Sequence, residues 1–176
     1  MTSISQEIRI NAPREMVWSI LSDLGGIQSF HPAVKKSYYT SETKVGVGAS
    51  RVCELLPMGK VTERVTEWRE GELLKIEVIN GEKMPPFKKS IGTLHLRELN
   101  EQTVVKLALS YQLKYGLIGR LMDKMMVRAQ FSKMIPAVLA GLKHYAETGE
   151  EVSSMDDIKR NPTPSQAISQ LQLAVA

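Results

Sequence analysis

The sequence predicts an α+β fold in which a curved antiparallel sheet of about seven strands wraps around a long C-terminal helix. Three observations predict it. Residues 33–111 break into short β-rich runs separated by turn signals. From Ile118 to Tyr145 the apolar spacing becomes helical. Ahead of both stand one alternating strand and a proline-led helix.

In the first strand Ile4, Ile8 and Ile10 share one parity, as a half-buried strand requires. Pro13 suits a first helical turn with Asn11 or Ala12 as its cap, and Val17, Trp18, Ile20 and Leu21 give that helix an apolar face ending before Gly25-Gly26. A second short helical turn stops at Phe30-His31-Pro32. Strands are then expected at 34–40, 49–55, 61–68, 73–79, 89–99 and 104–111. Between them lie Gly46-Val47-Gly48, Pro57-Met58-Gly59, Glu70-Gly71, Asn80-Gly81 with Pro85-Pro86, and Asn100-Glu101. Short links between consecutive strands imply an antiparallel meander. The long helix carries Pro136, which removes one backbone donor and is expected to bend it over a concave sheet. The domain is expected to span 1–149, and the polar segment 150–176 to be a mobile or partner-docked tail.

Composition excludes several classes. With 43% hydrophobic and 24% charged residues among 176, the chain can bury a full core and is not disordered as a whole. Charges interrupt every apolar run, and the N-terminus has neither a basic nor an apolar leader region, so a soluble, unexported, cytoplasmic protein is expected. The single Cys53 cannot form an internal disulfide, and His31, His95 and His144 show no metal-ligand spacing with it. No metal or cofactor is therefore expected. The net charge is +4; residues from Glu150 onward carry four acids against Lys159 and Arg160, which leaves +6 on the body. The pairs Lys35-Lys36 and Lys88-Lys89 are too small for a nucleic-acid stripe. Transient contact with an acidic membrane surface is compatible with this charge, stable insertion is not, and either a monomer or a homodimer is expected.

The order of elements, with Ile10-Asn11-Ala12-Pro13, Val17-Trp18, the segment 24–32, Gly46-Val47-Gly48-Ala49-Ser50-Arg51, Thr62-Glu63-Arg64-Val65 and Trp68, resembles the START/Bet v 1-like (SRPBCC) superfamily. Within it the chain is most similar to the bacterial polyketide cyclase/dehydrase and lipid-transport branch, over residues 4–149. The resemblance implies a helix-grip fold with an internal cavity for a hydrophobic small molecule. It does not imply a reaction, because that superfamily includes carriers, receptors, ring cyclases and chaperone cofactors. The chain shows none of the acidic metal ligands or Rieske motif that enzymes of the superfamily add, and Gly46-Val47-Gly48 lacks the strand-to-helix setting of a dinucleotide fingerprint.

Strand parity points to the candidate site. Val61, Glu63, Val65 and Glu67 fall on one face of their strand and Thr62, Arg64, Thr66 and Trp68 on the other. A carboxylate among valines is costly unless paired. On the preceding strand Arg51 shares parity with Cys53 and Leu55, and a three-residue turn at Leu56-Pro57-Met58 puts Arg51 directly across from Glu63. The pair reads as a polar patch that orients a ligand carbonyl or hydroxyl, a use the resemblance also implies for the strand glutamate, or as an ordinary cross-strand salt bridge. Val65 and Val78 are expected to supply apolar wall, and Cys53 to be a small packed group on the same face. Ser90 and Tyr111 offer hydroxyls. Met122, Met125, Met126 and Met134 lie on the helix that closes the cavity, where flexible thioethers adapt to varied shapes. The resemblance places His31 at the pocket entrance, where an imidazole near its free pKa could relay a proton.

Three functions compete. The first is a non-enzymatic binder or carrier of a lipid, isoprenoid, polyketide or aromatic. The second is a cyclase or dehydratase on an aromatic precursor, with Glu63 and His31 as acid or base and Arg51 stabilising an enolate. The third is an interaction module with a closed cavity.

Overall fold

The structure is a computed structural model that describes residues 1–116, 119, 121, 126–154 and 156–157. Its strands are β1 (Thr2–Ile10), β2 (Val34–Tyr39), β3 (Ser50–Leu55), β4 (Gly59–Arg69), β5 (Leu73–Gly81), β6 (Phe87–Leu99) and β7 (Gln102–Leu113). Helix α1 (Arg14–Ser22) and a 3₁₀ turn (Leu24–Ser29) separate β1 from β2, and helix α2 (Arg128–Thr148) follows β7. One antiparallel sheet runs in the order β1-β7-β6-β5-β4-β3-β2, so the meander predicted from turn signals forms and the first strand closes beside the last. This is the curved sheet and C-terminal helix of the helix-grip fold.

The N-cap of α1 is Pro13 itself, with no side-chain cap, rather than the expected Asn11 or Ala12. The Asp23 carboxylate accepts from the Gly25 amide at 3.1 Å and so starts the 3₁₀ turn that follows α1. Helix α1 buries Val17, Trp18 and Leu21 in the main core, where Ile10, Leu74, Leu96, Val105, Ile135, Leu139 and Leu142 meet them. Strand parity in β4 changes partway, because the pairing with β5 shifts between Val65 and Glu67. A bulge inserts one residue and reverses which side chain faces inward. The expected placement of Glu67 and Trp68 is thereby corrected: Glu67 turns outward to pair with Lys75, while Trp68 packs edge-on against Trp18 with ring centroids 5.1 Å apart. Both indole N–H groups donate to the Glu70 carboxylate, at 2.6 and 2.8 Å, which ties α1 to the β4–β5 turn.

Two contacts seat α2. Gly141 lies so close to the 3₁₀ segment that an added Cβ would sit 2.0 Å from the Phe30 carbonyl oxygen. Near the helix end, buried Lys143 donates to the Arg9 carbonyl at 2.6 Å and pairs with Glu147 at 2.8 Å, and Glu147 in turn accepts from the Asn11 amide. A charged pair out of water is tolerated only with such saturated bonding, so it fixes the helix against the end of β1. Pro136 is within α2. The helix was expected from Ile118, but most of 117–125 lies outside the described residues.

The division expected at Gly149 runs through packed structure. Gly149 ends α2 in the left-handed conformation, φ 75°. The chain then returns to the body: the Val152 amide donates to the Ser29 carbonyl at 2.9 Å, Ser29 Oγ donates to Glu151 at 3.1 Å, and Val152 is fully buried. A single apolar residue in a polar stretch gives little periodic signal, which is why the sequence reading ended the domain too early. The weak helical pattern at 166–175 lies outside the described residues.

Two stability measurements check these contacts. Gly141→Ala is expected to cost about 1–3 kcal/mol in urea denaturation, because backbone rather than a movable side chain meets the new methyl. A chain ended after Gly149 is expected to be about 2 kcal/mol less stable than one ended after Asp157, the burial value of one valine side chain. Equal midpoints would show that Val152 contributes nothing.

Candidate functional site

Between the inner face of the sheet and α2 lies a cavity of about 150 Å³. Its walls are mostly apolar: Val61, Leu74, Ile76, Val78, Leu94, Leu107 and Leu109 from the sheet, and Phe131, Met134, Val138, Leu139 and Leu142 from α2. Ile27 of the 3₁₀ turn and Phe30 and His31 just after it close one side, and Met58 and Met84 come from the β3–β4 and β5–β6 links. Cavities of this size in apolar surroundings hold a molecule about as large as benzene, below the roughly 300 Å³ of a drug-sized site.

Four polar residues reach the lining: His31, Arg51, Glu63 and Ser90. The β3–β4 register pairs Arg51 with Glu63, and Arg51 Nε donates to Glu63 Oε2 at 2.8 Å. Arg51 Nη1 donates to the Leu24 carbonyl at 2.9 Å, which also accepts from Ser37 Oγ at 3.1 Å. The guanidinium therefore bonds the sheet to the 3₁₀ turn. Burial disfavours its charge, but Glu63 beside it outweighs that loss, with Cys53 and Tyr39 adding to the pull, and the Arg51 pKa rises above the ordinary guanidinium value.

His31 is buried, and its Nδ1 accepts from the Ala33 amide at 3.2 Å, which assigns the proton of the neutral ring to Nε2. Burial pushes its pKa down to about 4, against the upward pull of nearby Glu63. The expectation of an imidazole near its free pKa is thus corrected: the ring is neutral at physiological pH because a charge there would lose its water. Burial likewise raises the Cys53 thiol to about 11, so it is protonated and unreactive. Its sulfur lies 3.7 Å from both Ser37 Oγ and Glu63 Oε2, beneath the ion pair and outside the lining.

Other expected ligand contacts are placed elsewhere. Val65 is packed in the main core instead of the cavity wall. Tyr111 stacks edge-on with Phe87 and Phe131, at 5.7 and 5.0 Å, and borders a separate open groove. Met134 lines the cavity, whereas Met126 is 53% exposed. Met122 and Met125 lie outside the described residues. Sequence reading missed Met58, Met84 and Gly92. Gly92 in the middle of β6 was detectable, since a lone glycine within a strand pattern marks a close approach or a space where a side chain would stand. Among the described residues no group of three or more His, Cys, Asp or Glu side chains could hold a metal ion, and no helix is long and apolar enough to cross a membrane.

An antiparallel sheet closed over a terminal helix, with a small cavity between them, is the Bet v 1-like helix-grip fold. The chain belongs to the polyketide cyclase / dehydrase and lipid transport family, which matches residues 1–147. No curated protein matches it. Among solved structures, a protein of Thermus thermophilus is similar with a TM-score of 0.67 at 24% identity, over 82% of this chain and 97% of that one. The XoxI protein of Bacillus cereus is similar with a TM-score of 0.67 at 16% identity, over 82% and 94%. The major latex-like protein 151 of Panax ginseng gives 0.69 at 10% identity, over 82% and 97%. At such identities the likeness is one of fold.

Two experiments follow from the buried polar groups. The unfolded chain protonates His31 near 6.5 and the folded chain only near 4, so the unfolded state takes up the proton first as pH falls. The stabilising difference is fully present above about pH 6.5 and shrinks toward pH 4, by up to about 3 kcal/mol. His31→Gln is expected to flatten that part of the profile in urea titrations, and an unchanged slope would locate the effect elsewhere. Separately, Glu63→Gln is expected to cost about 2 kcal/mol by stranding the Arg51 charge, and adding Arg51→Met to recover part of it. Simple additivity in the double-mutant cycle would mean the two side chains are uncoupled.

Proposed function

We propose that the protein binds a small, neutral, mainly apolar molecule bearing one hydroxyl or carbonyl, and acts as a binder or carrier. The observation that carries this reading is the apolar cavity with a compensated polar patch on its wall. Arg51 and Glu63 cancel each other's charge and His31 is uncharged, so the site offers hydrogen bonds without a net charge to attract an ion. The bonds from Arg51 and Cys53 both fall on Glu63 Oε2, which leaves Oε1 to accept from a ligand hydroxyl, while His31 Nε2–H or the Ser90 hydroxyl serves a carbonyl. A carboxylate ligand would meet Glu63 as a like charge with its counter-cation already engaged.

The cyclase alternative asks more of these groups than their bonding supports. His31 has given Nδ1 to a backbone amide, and Arg51 is committed to Glu63 and the Leu24 carbonyl. An enolate would have to compete for the guanidinium. The family's description also includes lipid transport, which accords with a carrier.

Thermal shift with toluene, p-cresol and p-toluate tests the reading. Toluene and p-cresol are expected to raise Tm, p-cresol more, and p-toluate to have little effect; a ligand at about 100 times its Kd adds roughly 2.7 kcal/mol of stability. Gly92→Val, which puts a side chain into the cavity, is expected to abolish the shift. Absence of any shift for all three probes would end the proposal, and a larger shift for p-toluate would reverse its charge argument. Native mass spectrometry of the purified chain supplies the natural ligand's mass.

A further inference from the structure

The antiparallel order of the sheet brings the start of β1, the β3–β4 turn, the β5–β6 loop and the β7–α2 link to one end of the molecule. Large apolar side chains concentrate there. Among the described residues ten are strongly exposed, and Met1, Leu56, Ile79, Tyr115, Leu121 and Met126 all belong to this end. Single exposed apolar residues need no explanation, but six gathered on one rim do. The rim is knit together by backbone bonds, Lys83 N to Met58 O at 3.1 Å and Lys114 N to Pro86 O at 2.8 Å.

The same end is basic. Lys60, Lys83, Lys88, Lys89 and Lys114 stand exposed on its strand ends and loops, against Glu54 and Glu82. The links and strand ends at the far end of the sheet instead carry Glu42, Glu70, Glu72, Glu98 and Glu101 against Lys44, Arg69 and Arg97. The molecule is therefore polarised along the strand direction. An open groove of about 420 Å³ on the rim is lined by Lys88, Lys114 and Tyr115 among others, so cationic and aromatic groups surround a space of headgroup size. Met58 and Met84, which line the ligand cavity, sit on the rim's own loops.

We propose that this rim docks on an anionic lipid bilayer surface, with the exposed apolar tips entering the interface and the lysines pairing with lipid phosphates. Apolar tips alone would suit any greasy partner. The surrounding lysines select an anionic one, and apolar tips ringed by cations are what a peripheral contact with such a surface requires. The charge polarity also orients the protein before contact, because the acidic far end is repelled as the basic end is attracted.

Sedimentation of the full chain with liposomes tests it, comparing phosphatidylcholine vesicles with vesicles that also contain phosphatidylglycerol. Binding is expected only to the anionic vesicles, and to fall as salt shortens the Debye length from about 10 Å to about 3 Å. The triple change Lys83→Glu, Lys88→Glu, Lys89→Glu is expected to weaken it roughly 100-fold. Leu56→Ser with Tyr115→Ser is expected to weaken binding while leaving the salt dependence in place. If the triple variant does not fold, as circular dichroism would show, Lys60→Glu with Lys114→Glu takes its place. No binding to anionic vesicles overturns the proposal, as does binding equal on both lipids or binding that the lysine changes leave intact. Binding of polyglutamate without vesicle binding would assign the rim to an acidic macromolecule instead.

Discussion

The buried guanidinium of Arg51, held between the Glu63 carboxylate and the Leu24 carbonyl, is the interaction around which the cavity end of the fold is arranged. A desolvated cation costs several kcal/mol unless nearly every donor finds an acceptor. Arg51 is on β3, Glu63 on β4 and Leu24 on the 3₁₀ turn, so satisfying one side chain dictates how three elements meet. Ser37, from β2, donates to the same Leu24 carbonyl and adds a fourth.

The other contacts build on that turn. Because it is fixed over the sheet, Phe30 and His31 face the cavity, and α2 can approach the Phe30 carbonyl where Gly141 has no side chain. The segment after α2 then covers the turn's far side through Val152 and Ser29. At the opposite end of the helix grip the two indoles share Glu70, and Lys143 with Glu147 anchors α2 to β1. The cavity is the space this arrangement encloses. An apolar space of about 150 Å³ corresponds to on the order of 3 kcal/mol of packing that an occupant can supply. Polar clamps stand at its edges, and a ligand that fills the space adds packing contacts. The same coupling links binding to stability.

Strand-level features were legible because they depend on short-range sterics. Gly and Pro at the expected breaks, together with alternation of apolar residues, marked all seven strands near their observed ends. A tight turn at Leu56-Pro57-Met58 fixes the register of its hairpin, and the pairing of Arg51 with Glu63 followed. Parity failed at Trp68, since a bulge costs one residue of pairing and leaves no mark in the amino-acid pattern. His31 was visible as a candidate, but its pKa depends on how much water the neighbouring elements exclude.

By itself, then, the sequence determined the meander of β2 to β7, the terminal helix and the cross-strand ion pair, because each is set by contacts between residues close in sequence or joined by one tight turn, whereas the pairing of β1 with β7 joins residues about a hundred apart and was decided by the tertiary structure. Only the tertiary structure decided which apolar residues line a cavity and which bury one another. Val65 and Val61 share a strand face, yet one is packed in the core and the other borders the cavity. The tertiary structure also decided that Cys53 lies beneath the ion pair, that Gly92 leaves room and Gly141 admits a carbonyl, and that Val152 closes the body. Each of these depends on the distance between elements far apart in the chain, and that distance is fixed by packing and by the few buried charges that must be satisfied.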